Sequence, residues 1–186
     1  MVDEVYRQKS ITIFGGRHPI EGDHEYAEAM ELGTLLAGAN YAVMSGGYSG
    51  VMEAVSRGAS EAGGISIGVT MEIFGSLPPN PYLTREIRAR NFFERLEILT
   101  AHAGGFIAMR GGMGTLTEIS LIWNMLQTKT MAPKPMILVG SFWRPLLRSI
   151  ADRLVITPGE LDLFSYVDSA REAVAHLCFI DSAREQ

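Results

Sequence analysis

The sequence predicts an α/β fold: a doubly wound parallel sheet in three α/β/α layers, with helices covering both faces. Three observations predict it. Short apolar or β-branched runs alternate with longer helical patterns along the chain. The short runs are apolar or β-branched with few charged residues, as strands buried on both faces are. Glycine clusters follow the first, second and fourth of these runs, where such folds carry ligand-binding turns.

Element by element, Ser10–Phe14 reads as the first strand, ending at Gly15-Gly16. A helix is expected from Asp23 to Ala37, with Asp23 as N-cap and Tyr26, Met30 and Leu36 on its apolar face. Tyr41–Met44 is the second strand, closed by Ser45-Gly46-Gly47, and Gly50–Glu61 the next helix, stopped by Gly63-Gly64. Ile65–Val69 is the third strand. The proline-rich stretch Thr70–Thr84 is a loop, and Arg88–Ala103 reads as a helix with Phe92, Leu96, Leu99 and Ala103 in one stripe. At 100° per residue that helix would hold Arg88 and Arg95 on one side. Gly105–Met109 is the fourth strand and Thr115–Gln127 a helix. Met136–Val139 is the fifth strand, Trp143–Leu154 a helix, Phe164–Val167 a short strand and Ser169–Phe179 the last helix.

The 186 residues make one domain, 1–186, with a core of its own. Apolar residues at 47% and charged ones at 20% describe a compact globule rather than a disordered chain. Glycine supplies 20 residues, above the ~7% typical of globular chains, without the period of three that marks collagen. The formal charge of −5 argues against a general polyanion binder and makes nucleic acid an unlikely partner. The single cysteine, Cys178, leaves no internal disulfide. The charged start MVDEVYRQKS is unlike a secretory signal, and no apolar run approaches the roughly 20 residues that span a bilayer. The expectation is a cytoplasmic protein without a membrane partner.

The strongest local pattern is Gly111-Gly112-Met113-Gly114-Thr115-Leu116-Thr117-Glu118, between a strand and a helix. Glycines let the backbone approach a ligand closely. The unpaired N–H groups and positive dipole end of the helix suit a phosphate, to which Thr115 adds a hydroxyl. A tight turn with no ligand is the alternative. Ser45-Gly46-Gly47-Tyr48-Ser49-Gly50-Val51-Met52 repeats the arrangement after the second strand, and two such turns on one sheet edge point to a phosphorylated or nucleotide ligand.

Several familiar sites fail on spacing. There is no G-x-x-x-x-G-K-[ST], and no G-x-G-x-x-G follows the first strand. Val51 breaks a G-x-S-x-G elbow, and His18, His24, His102 and His176 have no paired metal-ligand spacing. Lys9, Lys129 and Lys134 sit in no motif that suggests a pyridoxal phosphate Schiff base. Glu118 has two readings. Thr115-x-x-Glu118 fits a capping box. A carboxylate one turn from a phosphate-binding helix start could instead stabilise an oxocarbenium-like sugar and orient water. Arginine outnumbers lysine thirteen to three, and Arg95, at the margin of an apolar stripe, needs an anionic partner in the protein or in a ligand.

These elements resemble the LOG family (LONELY GUY, cytokinin riboside 5′-monophosphate phosphoribohydrolases). The family's P-G-G-x-G-T-x-x-E corresponds to Arg110–Glu118, its S-G-G-x-x-G-[LV]-M to Ser45–Met52, and its helix-borne arginine to Arg95 in Phe92-Phe93-Glu94-Arg95. The similarity covers about residues 10–150. It implies a Rossmann-like fold, a homodimer or higher homo-oligomer, no metal or organic cofactor, and hydrolysis of the N-glycosidic bond of a nucleoside 5′-monophosphate. By position, Arg95 and Glu118 would be catalytic. Gly111, Gly112, Met113, Gly114 and Thr115 would bind substrate with Gly46, Gly47, Gly16 and Arg17. Four departures leave the base open: Arg110 for proline, Leu96 for lysine, Glu53 for glycine, and Gly15-Gly16-Arg17 for C-G-S-S. Relatives sharing the glycine pattern carry molybdenum cofactor without hydrolysis, which is the alternative function.

Overall fold

The computed structural model describes residues 9–74 and 77–184; the charged start, 1–8, and positions 75–76 of the proline-rich stretch lie outside the described residues. Seven parallel strands form one sheet: β1 (Ser10–Phe14), β2 (Ala42–Ser45), β3 (Ser66–Met71), β4 (Arg85–Ala89), β5 (Ala103–Ala108), β6 (Met136–Val139) and β7 (Ser165–Val167). Their order is β4-β3-β2-β1-β5-β6-β7, so the winding reverses between β1 and β5. That switch point opens a crevice at the carboxyl ends of the strands.

Helices α1 (His24–Gly38), α2 (Val51–Glu61) and α7 (Ala170–Arg184) cover one face. Helices α3 (Phe92–Ala101), α4 (Met113–Gln127) and α5 (Trp143–Ala151) cover the other, with a one-turn helix α6 (Pro158–Leu161) before β7. Both faces of the central strands are buried, as in β1, where all five residues are inaccessible. Two apolar cores result, one on each side of the sheet. This is why the central strands read as short runs rich in apolar and β-branched residues. Among the described residues no helix is long and apolar enough to cross a membrane.

The expected helix Arg88–Ala103 is corrected. Its first residues belong to β4, which pairs Arg85–Ala89 with Ile67–Met71 of β3. As an edge strand β4 has one open side and alternates charged, outward residues with Ile87, a pattern that mimics a helix start. Arg88 therefore does not share a helix with Arg95. The helix begins after Asn91, whose side chain accepts from Glu94 N at 3.0 Å. Other differences are smaller. The fourth sequence strand runs Ala103–Ala108 and α5 ends at Ala151. The last helix begins at Ala170 and continues to Arg184, and the proline-rich segment contains the end of β3 and a 3₁₀ turn at Glu72–Phe74.

Candidate functional site

The three glycine turns follow β1, β2 and β5, adjacent strands at the switch point, and interlock through their backbones. Gly16 N donates to Arg110 O at 2.9 Å, and Val51 N donates to Gly16 O at 2.9 Å. Ser49 Oγ donates to Arg17 O at 3.2 Å. Gly50 caps α2 with φ 74°, and a Cβ there would lie 2.4 Å from Gly16 O, so both conformation and space require glycine. Asn80 locks the second turn from outside. Its N–H donates to Gly47 O at 2.9 Å and its Nδ2 to Tyr48 O at 3.2 Å. The Tyr48 hydroxyl accepts from Met71 N at 2.8 Å.

Gly112 is the extended N-cap of α4, and the first intrahelical bond runs from Leu116 N to Gly112 O at 3.0 Å. The N–H groups of Met113, Gly114 and Thr115 therefore precede any intrahelical partner, at the positive end of the helix. Gly111, Gly112, Met113 and Gly114 are exposed, whereas Thr115 is buried with its hydroxyl packed against Gly111. A hollow of about 340 Å³ opens beside this turn, lined by Gly16, Gly111 and Gly112 together with His18, Arg110 and Glu25 among others. Arg110, exposed, reaches Glu25 at 3.5 Å and lies 5.8 Å over the Phe142 ring.

The capping-box reading of Glu118 does not hold. Because α4 starts at Met113 rather than Thr115, Glu118 is the sixth helical residue, beyond the unpaired N–H groups. Among the described residues its carboxylate takes part in no side-chain hydrogen bond or ion pair. It is half-buried by surface exposure. Protein atoms nevertheless crowd it, and desolvation pushes its pKa up to about 7, against the opposing pull of Arg95.

Arg95 is only 8% exposed. Its Nη1 donates to Gly46 O at 3.0 Å and Val69 O at 2.6 Å, and its guanidinium lies 5.4 Å over the Tyr48 ring. A Cβ on Gly46 would lie 2.0 Å from Arg95 Nη2, so Gly46 serves as the guanidinium's cradle. Burial lowers the pKa of Arg95, and Glu118 raises it. The two side chains thus influence one another's charge without closing an ion pair, an arrangement of a buried cation and a desolvated carboxylate that sites tend to hold and cores avoid.

The sequence-derived set is therefore brought together in two groups around one sheet edge. Gly16, Gly111 and Gly112 line the hollow, beside the open helix start of Met113, Gly114 and Thr115. Gly46 and Gly47 support Arg95 and Asn80, while Arg17 contributes a backbone carbonyl and leaves its side chain exposed. Arg95 and Glu118 are coupled through their charges but do not line the hollow itself. The sequence reading missed Tyr48 and Asn80 as supports. Asn80 stands between Pro79 and Pro81, and Pro81 biases its backbone to an extended conformation. No three His, Cys, Asp or Glu side chains among the described residues are placed to hold a metal ion. Two of the lysines are engaged elsewhere, Lys9 pairing with Asp181 and Lys134 donating to Thr100 O at 3.2 Å.

Residues 52–177 match the family described as "Possible lysine decarboxylase". A cytokinin riboside 5′-monophosphate phosphoribohydrolase of Rhodococcoides fascians is 30% identical over 160 residues, 81% of this chain and 79% of that one. This chain belongs to the LOG family. Another LOG-family relative, from Mycobacterium tuberculosis and bearing the same enzyme name, is 29% identical over 154 residues, 78% of this chain and 81% of that one. Among solved structures, the molybdenum cofactor binding protein of Rippkaea orientalis superimposes with a TM-score of 0.75 at 22% identity, covering 94% of this chain and 98% of that one. At that identity the likeness is one of fold, here the Rossmann-type sheet of the LOG family.

Proposed function

We propose that the chain hydrolyses the N-glycosidic bond of a nucleoside 5′-monophosphate, AMP or an N6-modified AMP, to free base and ribose 5-phosphate. The observation that carries the reading is Glu118, a desolvated carboxylate with no hydrogen-bond partner among the described residues, coupled by charge to a buried guanidinium and one turn beyond an open helix start. The names of the two LOG-family relatives support the reaction class.

In this reading the 5′-phosphate rests on the N–H groups of Met113, Gly114 and Thr115. The C1′–N bond breaks with its electron pair leaving on the base, which takes up a proton. The ionised Glu118 stabilises the positive charge developing on the ribose ring and orients water, whose oxygen bonds to C1′ as its proton leaves. Arg95, itself held by the Gly46 and Val69 carbonyls, keeps a fraction of Glu118 ionised near neutrality. The chemistry asks for no metal or organic cofactor. Phe92, Phe93 and Met113 are 42%, 82% and 76% exposed on the two helices that carry Arg95 and Glu118, and we propose that a second copy of the chain covers them as a homodimer.

The test is chromatographic. Wild type incubated with a panel of 5′-monophosphates is expected to release base and ribose 5-phosphate, and Glu118→Gln to be slower by about 10²–10³-fold, the value of one preorganised electrostatic group. Saturable binding with the same negligible release from both proteins would overturn the enzyme reading and favour a carrier.

A further inference from the structure

A second cavity, of about 640 Å³, lies between α5, α6 and β7, and no residue of the three glycine turns lines it. Its volume is in the range of sites that enclose small organic ligands. Arg144 and Arg148 enter from α5, four residues apart and on one face of the helix. Neither forms an ion pair among the described residues. Arg144 lies 4.7 Å over the ring of Tyr166, which itself packs edge-on to Phe164 at 6.2 Å. Leu161, Ile156 and Ala151 complete an apolar wall, and Asp152 and Asp162 supply two carboxylates. Burial raises the phenol pKa of Tyr166, both arginines pull it down and Asp162 raises it, so all three charges converge on one ring.

Two like charges one helical turn apart repel, and a shared anion would relieve that repulsion. Paired guanidinium forks match the tetrahedral oxygens of a phosphate. The carboxylates at the same groove accept hydrogen bonds and suit a donor such as a ring amino group. We propose that this groove is a second ligand site, separate from the glycine turns, for a mononucleotide-sized organic phosphate with an amino-bearing planar ring. The phosphate binds Arg144 and Arg148, the ring lies against Leu161 and Phe164, and its amino group is within the field of Asp152 and Asp162.

The test is labelling of arginines by p-hydroxyphenylglyoxal on the full Glu118→Gln chain, so that AMP persists, with each site read by peptide mass spectrometry. Saturating AMP should slow labelling of Arg144 and Arg148 by at least about threefold, as fractional occupancy requires. Arg153, which does not line the groove, should be unaffected. Arg17 and Arg110 report the glycine turns in the same digest, so failure at one site is read apart from failure at the other. Adenosine and inorganic phosphate should each protect Arg144 and Arg148 less than AMP. Arg144→Gln with Arg148→Gln should bind one AMP fewer per chain by equilibrium dialysis while Arg110 protection persists. Unchanged labelling with AMP, full protection by inorganic phosphate alone, protection that grows with protein concentration without AMP, or unchanged stoichiometry in the double variant would each overturn the proposal.

Discussion

Replacing Glu118 by Gln should stabilise the protein, and do so more at high pH. In the folded chain the Glu118 carboxyl has a pKa of about 7, against 4.5 as its ordinary value. Between those values the folded state holds a proton that the unfolded state has released, so stability falls as pH rises. The shift carries ~1.4 kcal/mol per unit, which makes the wild-type loss between about pH 5 and pH 8 about 2–3 kcal/mol. The neutral amide of Glu118→Gln has no such titration. Its stability relative to wild type should therefore rise by about the same 2–3 kcal/mol across that range, or about 5–10 °C in melting temperature for a chain of this size. Urea unfolding of both proteins at the two pH values measures the difference directly, and any constant offset from the new amide cancels. A difference that does not change with pH would refute the claim that Glu118 is a desolvated carboxylate held for function at a cost in stability.

Further outcomes follow from the same geometry. Gly46→Ala drives a methyl group to within 2.0 Å of Arg95 Nη2 and 2.6 Å of Met52 Sδ. The guanidinium would have to leave its two carbonyls, lowering stability by about 2–4 kcal/mol and nucleotide hydrolysis by about 10²-fold; calorimetry and base release measure the two losses. Asn91→Ala removes the cap on Glu94 N and should cost about 1 kcal/mol in urea unfolding with kcat/KM changed little. Because the reaction uses the ionised carboxylate, kcat/KM for AMP should rise with pH through about 7 and then level, and a profile that falls over that range would assign Glu118 the acid role instead.

The sequence made the central sheet and the three turns legible because β1, β2 and β6 are short runs rich in apolar and β-branched residues, each followed by glycine. It failed at β4, where an edge strand needs only one covered face and Arg85, Glu86 and Arg88 resemble a solvated helix turn. Asn91-Phe92-Phe93-Glu94 held the true helix start in view, since Asn is a strong N-cap. The start of α4 was harder, because Gly112 caps it without a side chain to announce it. That error of two residues is what made Glu118 resemble part of a capping box. Thr157-Pro158-Gly159-Glu160 is a capping box with proline in the first turn, legible but too short to stand out as a helix.

Within the candidate site, residue types were legible and their meeting was not. Arg95 and Glu118 stand out by motif and by the company they keep. Their coupling depends on α3 and α4 sharing one face of the sheet, and on carbonyls offered to Arg95 by Gly46, just after β2, and by Val69 within β3. Asn80 and Tyr48 are bonded across 32 residues of chain, a separation that no local pattern encodes. Arg144 and Arg148 were part of the arginine excess, but only β7 brings Tyr166 beneath Arg144 and into the cavity both arginines line.

The central claim is that Glu118 and Arg95 form one electrostatic unit in a desolvated site. Carbon-13 NMR titration of the Glu118 carboxyl, in wild type and in Arg95→Met, tests it most directly. A midpoint near 7 in wild type that climbs further once the guanidinium is removed is the predicted result. A midpoint near the ordinary 4.5 in both proteins would contradict it.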